Sequence, residues 1–112
     1  MMLPNTVSSH RVIGILEGQH AQLVSDDLIA FHAEEMNSHW LAIELAQPTI
    51  DNKFTDWQYD TATSVVKQWS AKYNFPPNRL CILGHEETAQ GIRNHKSDPG
   101  YKWDWNRWLS TF

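Results

Sequence analysis

Trp40-Leu41-Ala42-Ile43-Glu44-Leu45, then the pattern from Thr55 to Tyr73, then Leu80-Cys81-Ile82-Leu83 running into Gly84-His85, is the stretch that decides the fold. The first run is apolar apart from one carboxylate, as expected for a strand buried on both faces. Thr55 with Gln58 has the spacing of a capping box. Beyond it Tyr59, Ala62, Val66, Trp69 and Tyr73 recur at three- and four-residue steps, which predicts a helix with one apolar face. Pro76 and Pro77 end that helix, and Leu80 to Leu83 then read as a second short buried strand. Strand, helix, strand predicts a right-handed crossover of parallel strands, with ligands at the carboxyl ends where Gly84 and His85 emerge.

Working outward, Arg11 to Leu16 and Ala21 to Val24 read as two strands of a hairpin turned at Glu17-Gly18-Gln19. The stretch from Glu86 to Tyr101 reads as a long loop, which in a small domain usually serves function, and Trp105 to Leu109 as a short closing helix. The expected fold class is α/β: a mixed, mainly parallel central sheet flanked by helices.

The chain has 112 residues, enough for one domain with one modest core, so residues 1–112 are taken as a single domain. Hydrophobic residues make up 41% and charged residues 20%, the profile of a folded protein and not of a disordered one. A formal charge of −4, with scattered basic residues, argues against a nucleic-acid partner. Cys81 is the single cysteine, so no internal disulfide forms, and its apolar neighbours predict a buried thiol. No segment approaches the ~20 apolar residues of a membrane span. The first residues lack the pattern of a secretory signal, which leaves the cytoplasm, or delivery to the periplasm or cell wall by other means, as the expected location. A monomer is expected.

Three short runs carry chemistry: Gly84-His85-Glu86-Glu87, Lys96-Ser97-Asp98-Pro99-Gly100 and Trp103-Asp104-Trp105. Together they resemble the closing motif of the type 2 N-acetylmuramoyl-L-alanine amidases, relatives of the peptidoglycan recognition proteins. Ser8-Ser9-His10, Gly18, Gln22-Leu23-Val24, Ala30-Phe31-His32-Ala33, Asn37 and Ala42-Ile43-Glu44-Leu45 follow the family order upstream, so the resemblance spans about the whole chain. It implies a zinc-dependent hydrolase, with one Zn²⁺, that cleaves the amide between N-acetylmuramic acid and L-alanine in peptidoglycan or its fragments. Phage endolysins and recycling amidases are of this kind. The other reading it leaves open is a catalytically inactive peptidoglycan-binding module on the same fold.

The resemblance also implies roles. His85 and Asp98 would be zinc ligands; Glu44 would be the general acid and base; Lys96 would stabilise the oxyanion; His32 and Asn37 would contact substrate. Taken alone, His85 reads as a hydrogen-bonded histidine, Asp98 as a turn residue and Lys96 as a solvated loop lysine. Glu44 resists so plain a reading, because a carboxylate in an apolar strand is costly unless paired or facing a polar cavity. The family's first zinc histidine closes an initial strand well before the Ser-Ser-His segment. Only nine residues precede His10, so the chain is expected to be N-terminally truncated relative to the family, with His10 as substitute ligand or structural hydrogen-bonding group. Phe31 stands where the family usually has Trp, Gln90 replaces a common proline, and the loop from His85 to Asp98 is longer than the compact family version. His20, His39 and His95 have no matching role and read as solvated. Six tryptophans are many for this length, and the cluster Trp103, Trp105, Trp108 reads first as a core seal and second as a sugar-stacking surface.

Overall fold

The computed structural model describes residues 9–23, 25, 41–87, 92 and 98–112. Among them the order is β1 (Arg11–Ile13), β2 (His20–Gln22), β3 (Ile43–Leu45), the long helix α1 (Asp56–Tyr73), a 3-10 turn (His85–Glu87) and the short helix α2 (Trp105–Leu109). The sheet runs β2-β1-β3. β1 pairs antiparallel with β2, matching Arg11 to Gln22 and Ile13 to His20, and parallel with β3, matching Arg11 to Ile43 and Ile13 to Leu45. A mixed sheet with helices is therefore what the chain forms.

The hairpin turns where it is expected to. Gly14 N–H donates to the Gln19 carbonyl at 2.7 Å, and Gly18 sits at φ +87°, a left-handed conformation that an L side chain rarely adopts. α1 begins with the predicted reciprocal cap. Gln58 N–H donates to the Thr55 hydroxyl and Thr55 N–H to the Gln58 side-chain oxygen at 3.0 Å. The helix stops at Asn74, whose left-handed backbone returns its N–H to the Ser70 carbonyl just ahead of the two prolines.

Gln58 fastens α1 to the sheet. It is fully buried, and its amide donates to the Ala46 carbonyl, immediately after β3, at 2.8 Å. Tyr59, Ala62 and Val66 then pack with Ile13, Phe54, Trp103 and Trp108 into one core, joined at its edge by Ile43 and Leu45. The aromatic geometry is specific. Trp103 stacks on Tyr59 at 4.3 Å and 15°, while Phe54 and Trp108 meet it edge-on, each at 5.2 Å. Trp103 and Trp108 are thus core residues, and each such pair adds roughly 0.5–1.5 kcal/mol beyond the area it buries.

Three expectations need correction. Leu80 to Leu83 form no strand. Asn78 takes their backbone donors locally: its side chain accepts from Leu80 N–H, and its carbonyl from Cys81 and Ile82 N–H, each at 2.9 Å. Leu80 is consequently 88% exposed and Cys81 only half-buried. The parallel ladder is made by β3 with β1, not by β3 with this segment.

Glu44 is exposed, not buried. Ile43 and Leu45 share the α1-facing side with their register partners Arg11 and Ile13, so the two-residue strand period turns Glu44 to the other face, opposite Val12. Tyr73, the last residue of the helical pattern, is partly exposed where α1 outruns the core. No helix among the described residues is long and apolar enough to cross a membrane.

Candidate metal centre

Gly84 opens the 3-10 turn that presents His85. Its N–H donates to one oxygen of the Glu87 carboxylate at 2.7 Å, and Glu87 N–H returns to the Gly84 carbonyl at 2.9 Å. The other Glu87 oxygen accepts from Arg79 at 2.6 Å. Arg79 also donates to the Ile82 carbonyl at 3.1 Å and stacks over Trp105 at 3.7 Å. A guanidinium held on three sides therefore fixes the carboxylate that fixes the turn. Burial works to raise the Glu87 pKa, but the hydrogen bonds from Arg79 and Gly84 and the Arg79 charge outweigh it, and the result is lowered from 4.5.

The Asp98-Pro99-Gly100 loop folds back onto this turn. Glu86 N–H donates to the Asp98 carbonyl at 3.1 Å, and Gln47 reaches the Pro99 carbonyl at 3.4 Å from beyond the end of β3. Gly84 is what lets the loop approach: a Cβ there would lie 3.1 Å from Pro99 Cδ and 3.1–3.2 Å from the carboxylates of Glu86 and Glu87. Lys102 secures the far side. Its ammonium donates to the carbonyls of Thr49, Ile50 and Asn52 at 2.7, 2.8 and 3.0 Å.

The result is that His85 Nδ1 and Asp98 Oδ2 stand 3.3 Å apart, the imidazole largely buried and the carboxylate half exposed. The contact is a direct hydrogen bond between the two side chains, and its length matches the roughly 3.3–3.5 Å that separates ligand atoms on four-coordinate zinc with bonds of about 2.0–2.2 Å. The donor types, imidazole nitrogen and carboxylate oxygen, also suit zinc. Among the described residues no group of three His, Cys, Asp or Glu side chains forms a candidate metal site.

His10 occupies a different environment. It is 1% exposed, its Nδ1 accepts the Ala42 N–H at 3.2 Å, and its ring meets Trp69 edge-on at 6.0 Å. This ties β1 to the entry of β3, the structural role that its sequence context allowed. Of the other candidates, Lys96, His32 and Asn37 lie outside the described residues, as do His39 and His95. His20 is exposed. The residues that sequence reasoning missed are Arg79, Gln47 and Lys102; Glu87 and Trp105 were named within the motif, but not as partners of Arg79. Their partners are distant in sequence or are backbone atoms, so no spacing marks them.

Residues 3–101 match the family model described as N-acetylmuramoyl-L-alanine amidase (Amidase_2). The chain belongs to this amidase family. The match contains β1 to β3, α1 and both members of the His85–Asp98 pair. No curated protein matches the chain in sequence. Among solved structures it is similar to the N-acetylmuramyl-L-alanine amidase AmiD from E. coli, there in complex with the substrate anhydro-N-acetylmuramic acid-L-Ala-D-gamma-Glu-L-Lys. The TM-score is 0.73 at 21% identity, over 93% of this chain and 47% of that one. At this identity the likeness is one of fold, and the chain spans about half the length of AmiD.

Proposed function

We propose that this amidase-family chain hydrolyses the amide joining N-acetylmuramic acid to L-alanine, in peptidoglycan or its soluble fragments, with one zinc ion held in part by His85 and Asp98. The observation that carries the reading is the 3.3 Å approach of His85 to Asp98 across a folded-back loop, in a chain whose family is defined by this reaction. The muropeptide bound to AmiD supports the same class of substrate. Zinc, when bound, supplies a Lewis acid that polarises the carbonyl and brings the pKa of water to about 7.

The protein's own groups do the rest. Glu87 closes the 3-10 turn that carries His85, and Glu86 N–H holds the backbone of Asp98, so the backbone under both donors is fixed before substrate arrives. Glu44, solvent-accessible on β3, takes a proton from the attacking water and passes it to the leaving amine. Lys96 offsets the charge that develops on the carbonyl oxygen, and His32 and Asn37 hold the substrate. The third protein donor that a catalytic zinc ordinarily has would come from a residue beyond those described, since His10 is buried at the β1–β3 junction with its Nδ1 taken by Ala42 N–H.

A second reading, a peptidoglycan-binding module without hydrolysis, is the alternative that the family resemblance leaves open on the same fold. Turbidity of purified cell walls separates the two. Lysis that needs zinc and disappears in Glu44→Ala supports the hydrolase, whereas wall binding by the parent chain with no lysis in the presence of zinc supports the module.

A further inference from the structure

Away from the His85–Asp98 pair, a cleft of about 380 Å³ lies between one flank of α1 and the β1–β2 hairpin. Its size falls within the roughly 300–1,000 Å³ of small-molecule sites. Trp57, Asp60, Ser64 and Gln68 enter it from α1 at three- and four-residue steps, so they line one strip of the helix; Arg11 and His20 close it from the two strands. Two of these groups are already held. The Trp57 indole N–H points to the Gln19 carbonyl at 3.5 Å, and the Arg11 guanidinium lies over the Trp69 ring at 5.9 Å. The opposite flank of α1 is taken by the C-terminal segment, through Tyr59 on Trp103 and the Thr63 hydroxyl at 2.9 Å from that of Thr111. The cleft therefore lies across α1 from the segment that leads out of Asp98.

The lining favours one class of ligand. Arg11 and Asp60 supply one permanent cation and one carboxylate, so the permanent charges of the lining cancel and give no net pull on an anion such as phosphate, an acidic peptide or a nucleic acid. A neutral ligand that alternates C–H faces with hydroxyls finds a partner for each part: the Trp57 ring for its apolar face, and the donors and acceptors of Asp60, Ser64 and Gln68 for its hydroxyls. We propose that this cleft is a saccharide site, separate from the amide-cleaving centre, that takes a short stretch of glycan containing N-acetylhexosamine. The neutral-sugar chemistry rests on the lining alone; the choice of N-acetylhexosamine rests on the proposed function.

The test is a titration of the isotopically labelled chain with the β-1,4-linked tetramer of N-acetylglucosamine, followed by amide and indole NMR shifts. The expected result is saturable shifts at Trp57, Asp60, Ser64 and Gln68. Asp60→Ala and Gln68→Ala, both at exposed positions off the core face of α1, each weaken binding by about ten-fold, the loss of one good hydrogen-bonding group. His85→Ala binds the tetramer as the parent does. Shifts confined to the surroundings of His85 and Asp98, no saturable shift at millimolar tetramer, or equal α1 shifts with inorganic phosphate would each overturn the proposal. A parent chain that fails to lyse walls sinks the hydrolase reading and leaves this titration unaffected, so the two failures are distinguishable.

Discussion

Replacing Glu87 by alanine should damage both the stability of the chain and its hold on zinc, although Glu87 touches neither core nor metal. The carboxylate accepts from Gly84 N–H at 2.7 Å and from Arg79 at 2.6 Å. A hydrogen bond to a charged group contributes about 1.5–3 kcal/mol and an exposed ion pair about 0–1 kcal/mol. Both side chains of the pair are more than a third exposed, so solvent screening places the sum at the low end, about 1.5–2 kcal/mol. For a domain of this size that corresponds to a fall in Tm of roughly 6–9 °C. Because His85 rides on the same turn, zinc affinity should fall about 10–100-fold, the usual cost of losing a group that orients a ligand.

The pH dependence gives the sign. The Glu87 pKa in the folded chain is lowered from 4.5, so its stabilisation is fully present above that value and is lost as pH falls through the folded one. The difference in Tm between parent and Glu87→Ala should therefore be full at neutral pH and shrink in acid once the pH falls below 4.5. Glu87→Gln, which keeps an acceptor for Gly84 N–H, should lie between the two. Thermal melts followed by circular dichroism at neutral and acid pH measure this. A Tm for Glu87→Ala within a degree of the parent at neutral pH, or a difference that does not narrow in acid, would refute the reasoning.

Three other substitutions probe the parts on which the pair depends. Trp103→Ala removes the ring at the centre of the aromatic cluster and should cost about 3–5 kcal/mol, read as a lower urea midpoint or as loss of the cooperative transition. Gly84→Ala drives a methyl group toward Pro99 Cδ and two carboxylates, so it should weaken zinc binding, measured by competition with a chelating dye, more than it lowers Tm. Lys102→Met leaves three carbonyl oxygens without their shared donor and should cost about 1–2 kcal/mol in urea unfolding, with the 49–52 turn losing amide protection first.

What could be read from the sequence is what is decided locally. Thr55 and Gln58 sit three residues apart, and their reciprocal hydrogen bonds are those of any capping box, so the start of α1 was legible; Pro76 and Pro77 made its end legible too. α2 was placed at the residues where it is found. The hairpin followed from Gly18, whose backbone angle few other residues adopt. Leu80 to Leu83 misled because an apolar run looks the same in a strand and in a turn, and the side chain of Asn78 settled the matter by taking the first N–H. Glu44 misled because the length of an apolar run does not say whether one sheet face or two will be covered. The motif brought His85 and Asp98 to notice, while the turn that holds them depends on Arg79 meeting Glu87 and Trp105, contacts that exist only once the chain has folded back.

The central claim is that His85 and Asp98 bind one metal ion together, and zinc stoichiometry tests it most directly. Chain purified, stripped and reloaded with zinc, then analysed by inductively coupled plasma mass spectrometry, should hold near one equivalent, and His85→Ala and Asp98→Ala should each lose most of it while keeping the circular dichroism of the parent. Zinc retained undiminished in both folded variants would contradict the account.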